Sequence, residues 1–265
     1  LKYLLFFDVD GTLVDHGAGI TEISDDMKNA LSTLRDRGNK YFICTGRSYG
    51  ALPEEIRALD PDGYSLSAGS FVTAHREVLR NIHFNNEVLL KLMASLEKVN
   101  PLILLECGFD LLSNKTETDG YEELIHVFKI DISKIKSFEK ADGLLVNKIS
   151  VTFNDEADIS VMDGFDKLGA TVLPQPVPLS YDITITGMTK KDGLEALKNS
   201  LDQSVEYKTI AFGDSYNDIE MIKYADVGVA MGNAVPELKS EADITARSVG
   251  NDGVYLMIKE MGLLD

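Results

Sequence analysis

Tryptophan is absent from this chain and cysteine nearly so, with Cys44 and Cys107 the only two. Two distant thiols make neither a CxxC motif nor a disulfide framework, which excludes a small stapled secreted fold. They read as reduced thiols in a cytosolic protein. Positive charge is also short: 26 Lys and Arg face 43 Asp and Glu, for a formal net charge of −17. So acidic a body repels phosphate backbones, which argues against nucleic acid as a partner. The same field repels small phosphorylated molecules, so a site for one must gather local positive charge or a metal ion. Long apolar runs are missing as well. Leu4–Phe7 is too short to span a membrane, meets Asp8 at once, and lacks the length and flanks of a signal peptide. The expectation is a soluble, cytoplasmic protein with no membrane partner.

What is present suits a folded α/β protein. Hydrophobic residues make up 44% of 265, enough for one large domain or two modest ones. Tyr3 to Phe7 is a continuous apolar run, as in a strand buried on both faces. Ser24 fits a helix N-cap, Met27, Ala30, Leu31 and Leu34 follow at helical spacing, and Gly38 fits the C′ position. Lys40 to Cys44 is a second strand, Pro53 to Leu59 a helix and Tyr64 to Ala68 a third strand. The strand–helix–strand order predicts a parallel sheet.

From Ile82 the pattern changes. A helix over 86–99, a hairpin of 102–106 and 110–113, a strand over 148–153, a helix over 157–168, an extended 170–173 and a strand over 181–186 read as α+β. Pro174, Pro176 and Pro178 mark a turn region. From Lys190 the α/β rhythm resumes, with strands over 209–212 and 227–231 and helices between and after them. The expected organisation is a core of 1–81 and 187–265 with an inserted domain of 82–186.

Acidic residues sit where these strands end. Asp8 and Asp10, at i and i+2 after the first strand, share a face, and ligands bind at this edge of open α/β sheets. Two close carboxylates resist joint ionisation unless a cation lies between them or one keeps its proton, which suits a hard metal or acid–base work. An isolated Asp-x-Asp is more often two solvated loop residues; Gly11-Thr12 behind a buried strand shifts the balance. Asp214 and Asp218 follow another strand, one helical turn apart, and Mg²⁺ takes such oxygen ligands. Thr45-Gly46-Arg47 offers a hydroxyl, a backbone N–H beside glycine and a basic side chain for phosphate oxygens. Lys190 opens a helix, where a cation opposes the helix dipole, so it needs acidic company.

The set Asp8-Val9-Asp10-Gly11-Thr12-Leu13, Thr45-Gly46-Arg47, Lys190 and Gly213-Asp214-Ser215-Tyr216-Asn217-Asp218 resembles the haloacid dehalogenase-like superfamily. Met231-Gly232-Asn233-Ala234 and Asn251-Asp252-Gly253-Val254 narrow the resemblance to its Cof-type sugar-phosphate phosphatases. It implies a Rossmann-like parallel-sheet core with an inserted α+β cap. Asp8 would be the nucleophile that forms an aspartyl-phosphate, with Asp10 as acid and then base. Mg²⁺ would be held by Asp8, the Asp10 carbonyl, Asp214 and Asp218, the last directly or through water. Thr45, Gly46, Arg47, Lys190 and Asn217 would bind phosphate. The implied partner is a small phosphorylated metabolite such as a sugar phosphate. Separately from the resemblance, the expected state is a monomer or weak homodimer. Two departures stand out: Ser67-Ala68-Gly69-Ser70 where the family often has Asn-Gly-Ala, and Lys191 where glycine usually follows the lysine. A phosphomutase with the same nucleophile is the second reading. A silent sugar-phosphate-binding regulator is the third, and the complete acid set argues against it.

Overall fold

Leu4, Leu5, Phe6 and Phe7 are wholly buried in β1 (Lys2–Phe7), as the unbroken apolar run predicts for a central strand. The chain then enters α1 (Asp25–Asp36), where Ser24 caps by accepting from the Met27 N–H at 3.1 Å. Met27, Ala30, Leu31 and Leu34 form its buried face, and Gly38 at φ +78° follows its C-terminus. β2 (Lys40–Cys44), the short α2 (Glu54–Arg57), β3 (Gly63–Leu66), β4 (Phe71–Ala74) and β5 (Glu77–Asn81) come next. These belong to a computed structural model that describes residues 1–115, 129–175 and 177–265.

The chain divides into two units, and the second interrupts the first. It comprises Arg47–Pro53 and Asn81–Met188. Residues 47–53, expected with the core, group here because the Gly50 backbone packs on Leu111 and the Tyr49 ring meets Phe109 edge-on at 5.4 Å. The unit holds α3 (Asn86–Leu96), β6 (Leu102–Cys107), β7 (Asp110–Ser113), β8 (Ile135–Ser137), β9 (Lys148–Thr152), β10 (Ala170–Pro174) and β11 (Ser180–Ile185). Among the described residues its sheet has the order β10-β11-β9-β6-β7-β8. One face packs Ile103, Leu105, Ile149, Val151 and Ile183 against Leu89, Leu92, Met93 and Leu96 of α3. A buried ion cluster also lies on this sheet, with Lys148 Nζ 2.9 Å from Glu106 Oε1 and 3.0 Å from Asp182 Oδ2. The helix expected over 157–168 is instead two 3-10 segments, Glu156–Met162 and Phe165–Leu168, parted at Gly164 with φ +86°. Of the three prolines in the expected turn, Pro176 lies outside the described residues.

The first unit resumes with α4 (Lys190–Asn199), β12 (Tyr207–Gly213), α5 (Ile219–Tyr224), β13 (Val227–Ala230), α6 (Pro236–Glu241), β14 (Ile244–Thr245) and α7 (Gly253–Glu260). Its sheet has the order β14-β13-β12-β1-β2-β3-β4-β5. The pairings from β14 through to β3 are parallel, and β4 returns antiparallel to β3. β1 and β12 are neighbours, with Phe7 opposite Phe212. From this pair the chain winds outward in opposite directions, to β2 and to β13. Such a switch point opens a crevice at the carboxyl ends of the strands. Asp8 and Asp214 are the residues that follow β1 and β12 there.

Candidate active site

The backbone after β1 turns sharply. The N–H groups of Thr12, Leu13 and Val14 all point at the Val9 carbonyl, at 3.3, 2.9 and 3.1 Å, and Gly11 donates to Val14 at 2.7 Å. Gly11 has φ +83°, a region costly for other residues. It is also a point of closest approach, since a Cβ there would stand 2.1 Å from Asp214 Oδ2. Thr12 Oγ1 reaches Asp214 Oδ1 at 3.5 Å. Asp8 is buried, and Asp10 is half-buried and close enough to Asp214 to discourage its ionisation.

Across the crevice, α4 starts with a cap in which Thr189 N–H and Oγ1 both bond Asp192 Oδ2, at 2.9 and 2.8 Å. This start directs Lys190 inward. Its Nζ lies 2.6 Å from Asp8 Oδ1 and 2.7 Å from Asp218 Oδ1. Lys191 is turned the other way, with Nζ 5.3 Å from the Tyr224 ring centre. Asp218 is fully buried, and its second oxygen accepts from the N–H groups of Asp214 and Ser215, both at 3.0 Å. It therefore shapes the turn that carries Asp214 and holds the lysine at the same time.

The electrostatics follow from three acids around one base. One carboxylate oxygen from each of Asp8, Asp214 and Asp218 lies within 4.8 Å of the others. Burial, with Asp218 next, raises the Asp8 carboxyl well above its ordinary range, against the pull of Lys190. Burial and then Asp218 push Asp214 up to about 7. Burial works against a charged Lys190, but Asp218 and Asp8 more than offset it and hold the ammonium charged. A cluster of hard oxygen donors with acid in excess of base fits a small divalent cation such as Mg²⁺.

The other expected residues fall in three places. Thr45 is buried at the end of β2, its N–H bonding Ser65 O at 2.9 Å and its carbonyl accepting from Ala68 at 3.2 Å. Gly46 and Asn217 are brought together, since a Cβ on Gly46 would lie 3.9 Å from Asn217 Nδ2. Arg47 belongs to the second unit, where Nη1 donates to the Ala51 carbonyl at 3.0 Å. Asn233 was legible only as part of the C-terminal motif. Its Nδ2 donates to Gly11 O at 2.8 Å and its Oδ1 accepts from Val249 at 3.0 Å, so it braces the Asp8 turn. Its position after Gly232 and the end of β13 was the available signal. Among the described residues, no helix is long and apolar enough to cross a membrane.

A Rossmann-like sheet with buried acids at its switch point, an inward lysine and an inserted second unit define a family. The sequence model for haloacid dehalogenase-like hydrolases matches residues 5–258, and the chain belongs to that family, in its Cof-type branch. It is accordingly an enzyme of the phosphatase class. The stress response protein YhaX of Bacillus subtilis is 43% identical over 271 residues, covering 98% of this chain and 93% of YhaX. The solved structure of the HAD subclass IIB sugar phosphatase BT4131 is 25% identical, with a TM-score of 0.79 over 99% of this chain and all of that one. That of BT1666 from Bacteroides thetaiotaomicron, described among phosphatases of this superfamily, is 26% identical with a TM-score of 0.76, covering 99% and 96%. The 5-amino-6-(5-phospho-D-ribitylamino)uracil phosphatase YitU of Bacillus subtilis is 24% identical over 97% of both chains.

Proposed function

We propose that this protein is a Mg²⁺-dependent phosphatase that hydrolyses a small phosphorylated metabolite, a phosphate monoester on a polyhydroxylated carbon chain, through an aspartyl-phosphate. The observation that carries the reading is Lys190 held between Asp8 and Asp218, with Asp214 alongside. An Asp8 carboxylate oxygen attacks phosphorus, forming an acyl phosphate, a mixed anhydride, as the bond to the leaving oxygen breaks. Asp10 gives its proton to that oxygen, and the alcohol departs. Asp10 then takes a proton from water, the water oxygen attacks phosphorus, and Asp8 is freed as inorganic phosphate leaves. Lys190, Thr45 and the Gly46–Asn217 region bind the phosphoryl oxygens. Phosphoryl transfer is governed by such positioning and charge neutralisation, and covalent catalysis divides it into two in-line steps. Asp8, Asp214, the Asp10 carbonyl and, directly or through water, Asp218 would hold Mg²⁺, which when bound neutralises charge on the phosphoryl oxygens.

The substrate class rests on relatives. BT4131 is named a sugar phosphatase and YitU acts on a phosphoribityl compound, both phosphates of hydroxyl-rich chains. We take the second unit to be the cap that selects the leaving group. The test is Asp8→Asn with a chromogenic phosphate ester and Mg²⁺. Turnover is expected to vanish while circular dichroism stays that of the parent; retained turnover removes the nucleophile from the account. Phosphate appearing in water rather than returning to sugar separates hydrolysis from mutase chemistry.

A further inference from the structure

The segment after β3 is strained in a way that the chemistry above does not use. Ser67, Ala68 and Gly69 take φ of +47°, +56° and +90°, three successive residues in the left-handed region. Each non-glycine residue there costs on the order of 1 kcal/mol, so its surroundings must impose the shape. One side of this turn is fastened to Thr45, through Ala68 N–H to Thr45 O and Thr45 N–H to Ser65 O. The other side is pressed against the start of α4. A Cβ on Gly69 would stand 2.3 Å from Thr189 O and 3.1 Å from Gly193 N. A Cβ on Gly193 would stand 1.8 Å from Ser65 Oγ, 2.6 Å from Ser65 Cβ and 3.2 Å from Gly69 Cα.

Glycine inside a helix is unfavourable by about 0.5–1 kcal/mol against alanine, yet Gly193 lies in the first turns of α4, three residues past Lys190. No side chain fits there without moving the helix away from β3. We infer that the Gly69–Gly193 contact is a positioning device: the left-handed turn is a rigid spacer that sets the separation of Thr45 from Lys190. Neither glycine need touch substrate. The inference rests on the reading that Thr45 and Lys190 bind the phosphoryl group. A Cβ at residue 193 lifts the start of α4, Lys190 withdraws from the crevice, and both phosphate affinity and turnover fall. Misplacement of a binding group by about 1 Å costs on the order of a hundredfold in rate.

The experiment compares the full-length parent with Gly193→Ala, Ser65→Gly, the Ser65→Gly/Gly193→Ala pair, and Lys190→Ala. It reads melting temperature, kcat on p-nitrophenyl phosphate, and the affinity for inorganic phosphate by calorimetry in Mg²⁺. Gly193→Ala is expected to weaken phosphate and lower kcat by about tenfold or more. The pair is expected to regain the values of Ser65→Gly, since the Ser65 side chain supplies the nearest obstructing atoms. A folded Gly193→Ala protein with parental phosphate affinity and kcat overturns the inference. So does a pair that fails to recover folding and phosphate affinity together. Parental affinity and turnover in Lys190→Ala would instead remove the reading of the lysine itself.

Discussion

Lys190 Nζ lies 2.6 Å from Asp8 Oδ1 and 2.7 Å from Asp218 Oδ1, with all three side chains buried. Lys190→Met deletes the one cation in this arrangement and leaves two buried carboxylates facing each other. Such a deletion destabilises by about 3–5 kcal/mol when the acids stay charged, and proton uptake by the acids softens it. Turnover of a chromogenic phosphate ester is expected to fall by about 10³-fold, the scale of a lost charge-stabilising donor. The melting temperature should drop more at pH 8 than at pH 5. Steady-state kinetics and thermal melts at both pH values check this, and parental kcat in a folded variant contradicts it.

Gly11 gives a sharper steric test. Its φ of +83° and the 2.1 Å gap from a would-be Cβ to Asp214 Oδ2 leave no space for alanine. Gly11→Ala should displace Asp214 or the Asp8 turn, costing about 1–3 kcal/mol through strain and overpacking. The apparent Mg²⁺ affinity read from activity titrations should fall by about tenfold or more. An unchanged Mg²⁺ requirement would show that the turn tolerates the methyl group.

The raised acids give a pH dependence with a definite sign. Burial and then Asp218 raise both Asp8 and Asp214, the latter to about 7. Between about pH 4, the unfolded carboxylate value, and pH 7 the metal-free folded chain thus holds more protons than the unfolded chain. The stability this supplies is complete below about pH 4 and is lost as pH rises through about 7. Melting temperature in excess chelator should therefore fall from pH 5 to pH 8, and Mg²⁺, which favours the deprotonated cluster, should raise it most at pH 8. Asp214→Asn should flatten the chelated slope. A chelated melting temperature that climbs with pH contradicts the assignment.

The second unit carries its own buried charge. Lys148 holds Glu106 and Asp182 at 2.9 and 3.0 Å, and both acids raise its pKa against the effect of burial. Lys148→Met should destabilise by about 3–5 kcal/mol by leaving buried acid without its cation. Denaturant unfolding measures it; a loss below about 1 kcal/mol would mean that the acids take up protons or find water.

The parts of the fold legible in the sequence were those with strong periodicity or capping. β1 was readable because Leu4–Phe7 has no polar interruption, and α1 because Ser24 and Gly38 bracket it. β5 was not, since most of Glu77–Asn81 is exposed and carries no alternation. The helix over 157–168 failed because Gly164 takes the left-handed conformation and splits it. In the site, the acids were legible as residues at or just past strand ends, and Lys190 as a cation at a helix start. Asp218 as the clamp on Lys190 was not, nor was Asn233 as the brace on Gly11, because both depend on contacts made by folding. The segment 47–53 was placed by local order, whereas packing on Leu111 and Phe109 decides its unit.

The pairing of β1 with β12 has a consequence for biosynthesis. Thr12 and Asp214 touch across 202 positions of sequence. β1 leaves the ribosome ahead of the second unit, and its neighbour β12 follows only after that whole unit has been made. Until then Leu4–Phe7 has a bare hydrogen-bonding edge made of apolar residues, the type of edge that recruits other strands. The second unit has its own sheet and apolar core, so it can fold while that edge waits. Chaperone demand should therefore peak during synthesis of residues 81–206 and subside once β12 has docked.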